Sequence, residues 1–164
     1  MDDPNSKELQ KNSMSGFTRF LISKPVFAKY FFKFQAFVFR NTNGSFMSTL
    51  IGYPICVVNM LGAKTKKLRS VPIMHVPYKE GIIIVASKGG ADEHPKWYWN
   101  LKTNPEVEIF IKGKRFKSNA IQFSDEEKKN LWPLICEVFP NYKRYQESTN
   151  RNIPVFNCQP LFNE

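Results

Sequence analysis

The run Gly81-Ile82-Ile83-Ile84-Val85-Ala86 constrains this chain more than any other stretch. Continuous β-branched residues with no polar alternation read as a strand covered on both faces, so whatever sheet contains it must be buried from two sides. The strand runs into Ser87-Lys88-Gly89-Gly90, where the glycines permit backbone conformations that a Cβ disfavours and leave amides able to face a ligand. Asp92 or His94 is then placed to cap an aromatic helix that opens at Pro95 and continues through Lys96-Trp97-Tyr98-Trp99-Asn100. The positive end of that helix beside Lys88 suits an anionic, planar ligand.

The remaining segments supply partners for the buried strand. Pro54 to Leu61 and Arg69 to Pro77 read as strands joined by a basic tip, Gly62-Ala63-Lys64-Thr65-Lys66-Lys67-Leu68. Val107 to Ile111 and Arg115 to Phe123 form a second hairpin across Lys112-Gly113-Lys114. Ser124-Asp125-Glu126-Glu127 carries a capping-box start for a helix reaching about Val138, and a short Tyr-rich helix precedes a last strand near Ile153 to Cys158. Hairpins with few intervening helices predict an α+β fold: an antiparallel barrel of at least five strands with helices packed outside.

The 164 residues fit one domain, which we divide into a tail over residues 1–15, an amphipathic helix over 16–40 and a barrel over 41–164. The tail has almost nothing to bury. In the helix, Phe20, Leu21, Phe27, Phe31, Phe34 and Val38 recur at near-helical spacing with Lys24, Lys29 and Lys33 elsewhere. Such a face fits packing on the barrel and fits lying on an anionic membrane surface. No signal-peptide core or run of about eighteen apolar residues is present, so we expect a cytoplasmic protein, in peripheral contact at most with the inner face of the cell membrane.

Twenty-four Lys and Arg against fourteen Asp and Glu give a net charge of +10, which favours phosphates, acidic coenzymes, anionic lipid or nucleic acid as partners. Nucleic acid ranks last, because the aromatics fall in packable patterns and no recognition motif accompanies them. Cys56, Cys136 and Cys158 are odd in number and widely spaced, and His75 and His94 lie in no ligand spacing, so we expect free thiols and no metal. There is also no P-loop, GxGxxG, nucleophile elbow or CxxC.

Three groups of residues could carry chemistry. Lys64, Thr65, Lys66, Lys67 and Arg69 put several donors within one turn, which fits a phosphate site as well as a solvated loop. Trp97 fits either a core position or a wall against a planar ring system. Phe139, Tyr142, Tyr145 and Ser148 repeat every three residues, either to pack rings on one helix face or to offer phenols to a substrate that gains negative charge.

Taken together, Gly62-x-Lys64-Thr65-x-x-x-Arg69-x-x-Pro72, Val85-Ala86-Ser87-Lys88-Gly89-Gly90 and Pro95-x-Trp97-Tyr98-x-Asn100-Leu101-x-x-Asn104-Pro105 resemble the deazaflavin-dependent nitroreductase family of split β-barrel oxidoreductases. The resemblance continues in order through Trp132, Pro140-x-Tyr142-x-x-Tyr145-Gln146 and Arg151-x-Ile153-Pro154. It implies reduced coenzyme F-420, an 8-hydroxy-5-deazaflavin, as hydride donor to a quinone, enone or nitro compound, with FMN as the alternative cofactor. It implies that Ala63, Lys64, Thr65 and Arg69 meet the coenzyme's phosphate and acidic tail. Ser70, Val71, Pro72, Ile73 and Met74, with Val85, Ala86, Ser87 and Lys88, would line the deazaflavin, and Lys96, Trp97, Tyr98, Trp99 and Asn100 would close its other side. Tyr145, Tyr142 and Ser87 match the family's catalytic hydroxyls. Ala63 and Lys66 depart from the family's usual Arg and Gly, while Met74 and Phe139 stand where some relatives carry Tyr. Those last two make the pocket more apolar and favour a hydrophobic, quinone-like substrate. The other class of reading is a binding protein without catalysis that captures an anionic cofactor or a membrane surface.

Overall fold

The structure, a computed structural model, describes residues 49–50 and 53–161; the expected tail and Phe-rich helix lie outside the described residues. The strands are β1 (Thr49–Leu50), β2 (Tyr53–Leu61), β3 (Leu68–Tyr78), β4 (Gly81–Val85), β5 (Glu106–Ile111), β6 (Lys114–Gln122) and β7 (Val155–Cys158). The helices are α1 (Lys96–Thr103), α2 (Asp125–Val138) and α3 (Asn141–Glu147), with a 3-10 turn at Lys88–Gly90. Pairing is antiparallel throughout in the order β1-β2-β3-β4-β7-β6-β5, and β2 also pairs with β5. That second pairing closes six strands into a barrel with flanking helices, as the hairpin pattern predicts, and closure leaves no long open edge.

The hairpins form where their turn chemistry allows. Lys112 and Gly113 both take positive φ, 48° and 78°, as a two-residue turn between right-twisted strands requires. Ser124 caps α2: its hydroxyl accepts from the Glu127 amide at 3.2 Å while its own amide donates to the Glu127 carboxylate at 2.8 Å.

Burial explains the unbroken apolar run in β4. Ile82 and Ile84 point into the barrel beside Cys56, Val58, Met60, Ile109 and Phe156. Ile83 and Val85 point outward, where Val76 and Val155 join Ile135, Phe139 and Tyr142 from the α2–α3 side. A strand with one face in the barrel and one under helices has no solvated side, so it has no polar alternation. Gly81 fits the same crowding, since a Cβ there would collide with the Cys158 carbonyl of β7.

The barrel interior also holds groups that do not ionise readily. Cys56 and Cys158 are buried free thiols, and Cys136 is half-buried. Burial pushes the Cys56 thiol far up and that of Cys158 up to about 12, so neither is a thiolate nucleophile at neutral pH. His75 shares the inward face with Ile73, is 3% exposed, and has no partner at Nδ1 among the described residues. Burial first, and the Lys112 charge second, lower its pKa from 6.5 to about 4.

A histidine held neutral in the fold but protonated in the unfolded chain contributes stability above the unfolded pKa and loses it as pH falls through the folded one. Between pH 6.5 and about 4 this single group should therefore remove up to about 3 kcal/mol. In urea unfolding across that window, the stability of wild type minus that of His75→Leu should fall toward acid by up to about 3 kcal/mol. Parallel curves would mean that His75 titrates normally in the folded protein.

Candidate cofactor site

The basic hairpin tip and α1 face each other across a cavity of about 940 Å³. The tip is closed by Gly62 N donating to Lys67 O and Lys66 N donating to Gly62 O, both at 2.9 Å. Thr65 Oγ1 folds back over the turn and accepts from Arg69 Nη2 at 3.4 Å. Glycine at position 62 makes that possible, since a Cβ there would meet Thr65 Oγ1 at 2.7 Å. The tip is then fixed to α1: the Ala63 amide donates to Asn100 Oδ1 at 2.9 Å, and Lys66 Nζ donates to Asn104 Oδ1 at 3.2 Å.

Of the residues expected to hold the cofactor, Ala63, Lys64, Thr65, Arg69, Ser70 and Val71 line this cavity from the hairpin, and Lys96, Trp97, Trp99 and Asn100 from α1. Among the described residues the ion pairs are Lys88–Glu93 and Arg115–Glu108, so Lys64, Arg69 and Lys96 have no carboxylate partner. Asn104 Nδ2, beside the tip, is buried with no acceptor among the described residues. Cations without a carboxylate partner among the described residues, lining a large cavity, fit an anionic group. The indole of Trp97 lies tilted against Phe156 with ring centroids 6.2 Å apart, so it belongs to the core and to the cavity wall at once, whereas Trp99 is 56% exposed.

The other expected cofactor residues sit elsewhere. Ile73, Val85 and Ala86 are buried in the two cores, Met74 packs against the α2–α3 cluster, and Pro72 is exposed on β3. Tyr98 packs on the barrel core and stacks on His94, with centroids 4.1 Å apart. Lys88 forms a 2.7 Å ion pair with Glu93, which is held below the ordinary carboxylate range by that contact.

The segment between β4 and α1 departs from expectation in two ways. Neither Asp92 nor His94 caps α1; Pro95 occupies the N-cap position with no side-chain bond. Asp92 instead accepts from Thr149 Oγ1 at 2.8 Å, and His94 Nδ1 lies 3.2 Å from Arg151 Nη1. Nor are all the turn's amides free for a ligand, since Gly90 N donates to Ser87 O and Ala91 N to Lys88 O. Lys88, Gly89 and Gly90 take φ of 50°, 66° and 83°, and this left-handed run presses Gly90 onto α3, where a Cβ would collide with Ser148 Oγ and meet Tyr145 Cα at 3.0 Å.

The Tyr-rich stretch is shared between elements instead of forming one helix face. Phe139 closes α2 and Ser148 closes α3, with Tyr142 and Tyr145 on α3 itself. Phe139 and Tyr142 are buried and meet edge to face at 4.9 Å, while Tyr145 is half-buried. Burial, and then the neighbouring Tyr145, push the Tyr142 hydroxyl well above the ordinary phenol range, so it persists as a donor. None of Ser87, Tyr142 and Tyr145 lines the large cavity, but Gly90 brings the Ser87 turn against Tyr145.

Two polar centres escaped the sequence reading. Arg151 donates to three backbone carbonyls of the β4–α1 segment, and Lys128 lies in a second cavity of about 320 Å³ over Trp132, bonded to Gln146 at 2.7 Å and to Asn152. Burial lowers the Lys128 pKa to about 8. Only the Arg151-x-Ile153-Pro154 pattern hinted at the first, and nothing local at the second.

Comparison with known proteins gives consistent results. A family model described as F420H2-dependent quinone reductase matches residues 31–160. An F420H2-dependent quinone reductase of Mycobacterium tuberculosis is 38% identical over 122 residues, covering 72% of this chain and 82% of that protein. Among solved structures, one titled as an F420-H2 dependent reductase (FDR-A) is 40% identical with a TM-score of 0.61, covering 65% of this chain and 94% of that one. Another, titled as a domain-swapped dimer, is 33% identical with a TM-score of 0.62 over 80% of this chain and 98% of that one.

The two glycines of the turn should differ in tolerance. At Gly89 a Cβ meets nothing within 4 Å, so Gly89→Ala should cost only the left-handed strain of about 1–2 kcal/mol. Gly90→Ala adds a collision with α3 and should cost more, about 3 kcal/mol or above. Thermal unfolding of the two variants checks the order; equal losses would mean that α3 yields freely to a Cβ.

Proposed function

The chain belongs to the F420H2-dependent quinone reductase family, and from that premise we propose that it reduces a hydrophobic quinone with reduced coenzyme F-420 held in the cavity between hairpin tip and α1. When bound, the coenzyme supplies the hydride, and a quinone that takes up a hydride and a proton leaves as hydroquinone. The observation that carries this placement is the set of cations Lys64, Arg69 and Lys96, without carboxylate partners among the described residues, around one cavity large enough for a coenzyme.

Lys64 and Arg69 would hold the phosphate, the first as a point charge and the second through its planar fork, with the Thr65 hydroxyl completing the cradle. Ser70 and Val71 on β3 and the indoles of Trp97 and Trp99 would form the walls against a planar ring. Ser87, Tyr142 and Tyr145 are proposed to orient the quinone by donating hydrogen bonds to the oxygen where negative charge grows. The high pKa of Tyr142 makes it a standing donor and a poor base. FMN is the less favoured occupant, because the family's name specifies the deazaflavin.

A second reading concerns where the reaction takes place. Leu61, Leu68 and Trp99 are 41%, 66% and 56% exposed, and Leu68 and Trp99 share the cavity wall with Lys64 and Lys96. Apolar side chains among cations at a cavity mouth suit an anionic lipid surface that delivers a quinone. We place the enzyme on the cytoplasmic side of that surface as a peripheral protein. No helix among the described residues is long and apolar enough to cross a membrane.

Mixing the protein with reduced coenzyme F-420 and a panel of quinones, enones and nitroarenes should oxidise the deazaflavin fastest with quinones; oxidation supported only by reduced FMN would reject the cofactor. Lys64→Met and Arg69→Met should each raise the coenzyme Kd by about 10- to 100-fold, as expected for a lost charged hydrogen bond. Tyr145→Phe should lower kcat with Kd held, and undiminished turnover would remove that residue's role. Sedimentation with phosphatidylglycerol vesicles should capture the wild type and release Leu61→Ser/Leu68→Ser, whereas equal capture of both would exclude the apolar rim.

A further inference from the structure

Arg151 lies after α3, does not line the large cavity, and directs all three guanidinium nitrogens at the segment that leads into α1. Its Nη2 donates to Ser87 O at 2.7 Å and Ala86 O at 3.1 Å, its Nε donates to Ala91 O at 2.8 Å, and its Nη1 points at His94 Nδ1 at 3.2 Å. Three carbonyls gathered on one cation define the path of a left-handed turn that has little regular hydrogen bonding of its own.

The contact with His94 carries that anchoring into α1. A guanidinium can only donate, so in this contact His94 Nδ1 is the acceptor. Partial burial, followed by the Arg151 charge, lowers the His94 pKa, which favours the accepting form of the ring. The ring stacks on Tyr98 at 4.1 Å and 20°, and meets Trp99 edge to face at 5.7 Å. Tyr98 and Trp99 belong to the turn of α1 that also bears Trp97 and Asn100, and Asn100 holds the Ala63 amide of the hairpin tip. Thr149, two residues before Arg151, fastens Asp92 in the same segment.

Resting on the cofactor placement above, we infer that Arg151 is a positioning residue for the coenzyme: through the Ala86, Ser87 and Ala91 carbonyls and His94 it sets the seat of α1, and hence the distance between the α1 wall and the phosphate-binding tip. It touches no ligand itself. Lysine cannot replace it, because a single ammonium cannot span three carbonyls and an imidazole in one plane.

The test compares wild type with Arg151→Met, Arg151→Lys and His94→Phe, the last retaining a ring for Tyr98 without the acceptor. In coenzyme-free protein, amide hydrogen exchange should accelerate about tenfold or more across Lys96–Thr103, while β2 and β5 keep their protection. In binding titrations, both Arg151 variants should raise the Kd for reduced coenzyme F-420 about tenfold or more. His94→Phe should show a smaller change of the same kind, and Arg151→Met/His94→Phe should be no worse than Arg151→Met alone. Unchanged α1 protection, or a loss spread evenly over the barrel, would reduce Arg151 to general stability and overturn the inference. Wild type that fails to bind the coenzyme would instead refute the proposed function, and the exchange pattern would still decide the role of Arg151. Should Arg151→Met not fold, Arg151→Lys and His94→Phe carry the same comparison.

Discussion

Strand β2 pairs along one edge with β3 and along the other with β5, from Met60 against Val107 to Val57 against Phe110. Without that second pairing the six strands would form an open sheet with two exposed edges, and the inward side chains would face water. Closure turns Cys56, Val58, Met60, Ile84, Ile109 and Phe156 into a single core, fills it, and leaves function to the outside and the rim. The same closure accounts for the depressed basicity of His75 and the raised thiol pKa values of Cys56 and Cys158, since a filled barrel offers no water to stabilise their charged forms.

The cofactor cavity is a consequence of what a closed barrel cannot cover. The tip of the β2–β3 hairpin projects past the strands, and α1 passes beside it with Leu101 in the barrel core and Trp97 at its margin. Two asparagines, Asn100 and Asn104, tie the tip to the helix, so the cations of the hairpin are held at a set distance from the indoles. The glycine turn that feeds α1 is fastened from behind by Arg151, Thr149 and the close fit of Gly90 on α3. Binding groups on a loop gain precision only when such rigid supports hold them.

Much of this was readable before any coordinates. The apolar run 82–86 predicted a strand buried on both faces because neither face has a polar residue to offer water, and the capping box at Ser124 predicted the start of α2 because its two bonds span three residues. The hairpin tip was readable as a donor cluster because its members are neighbours in the chain. The caps assigned to Asp92 and His94 failed for the complementary reason: Thr149 and Arg151, 57 residues away, offer these side chains partners that the helix end cannot match. Likewise Phe139, Tyr142, Tyr145 and Ser148 have helical spacing, but the helix breaks at Phe139 and most of the rings go to the core.

Local chemistry therefore determined the strands, the turns, the surplus of cations and the order of family motifs, since each depends on residues within a few positions of one another. Tertiary structure decided which of the expected contacts share one cavity and which are buried in the cores. It also decided that Asn100 positions the hairpin tip, and that Arg151 and Lys128 become polar centres far from their partners in sequence. The physical reason is competition. A side chain takes the best hydrogen-bonding or apolar partner available in the folded chain, and only barrel closure brings partners dozens of residues apart within reach.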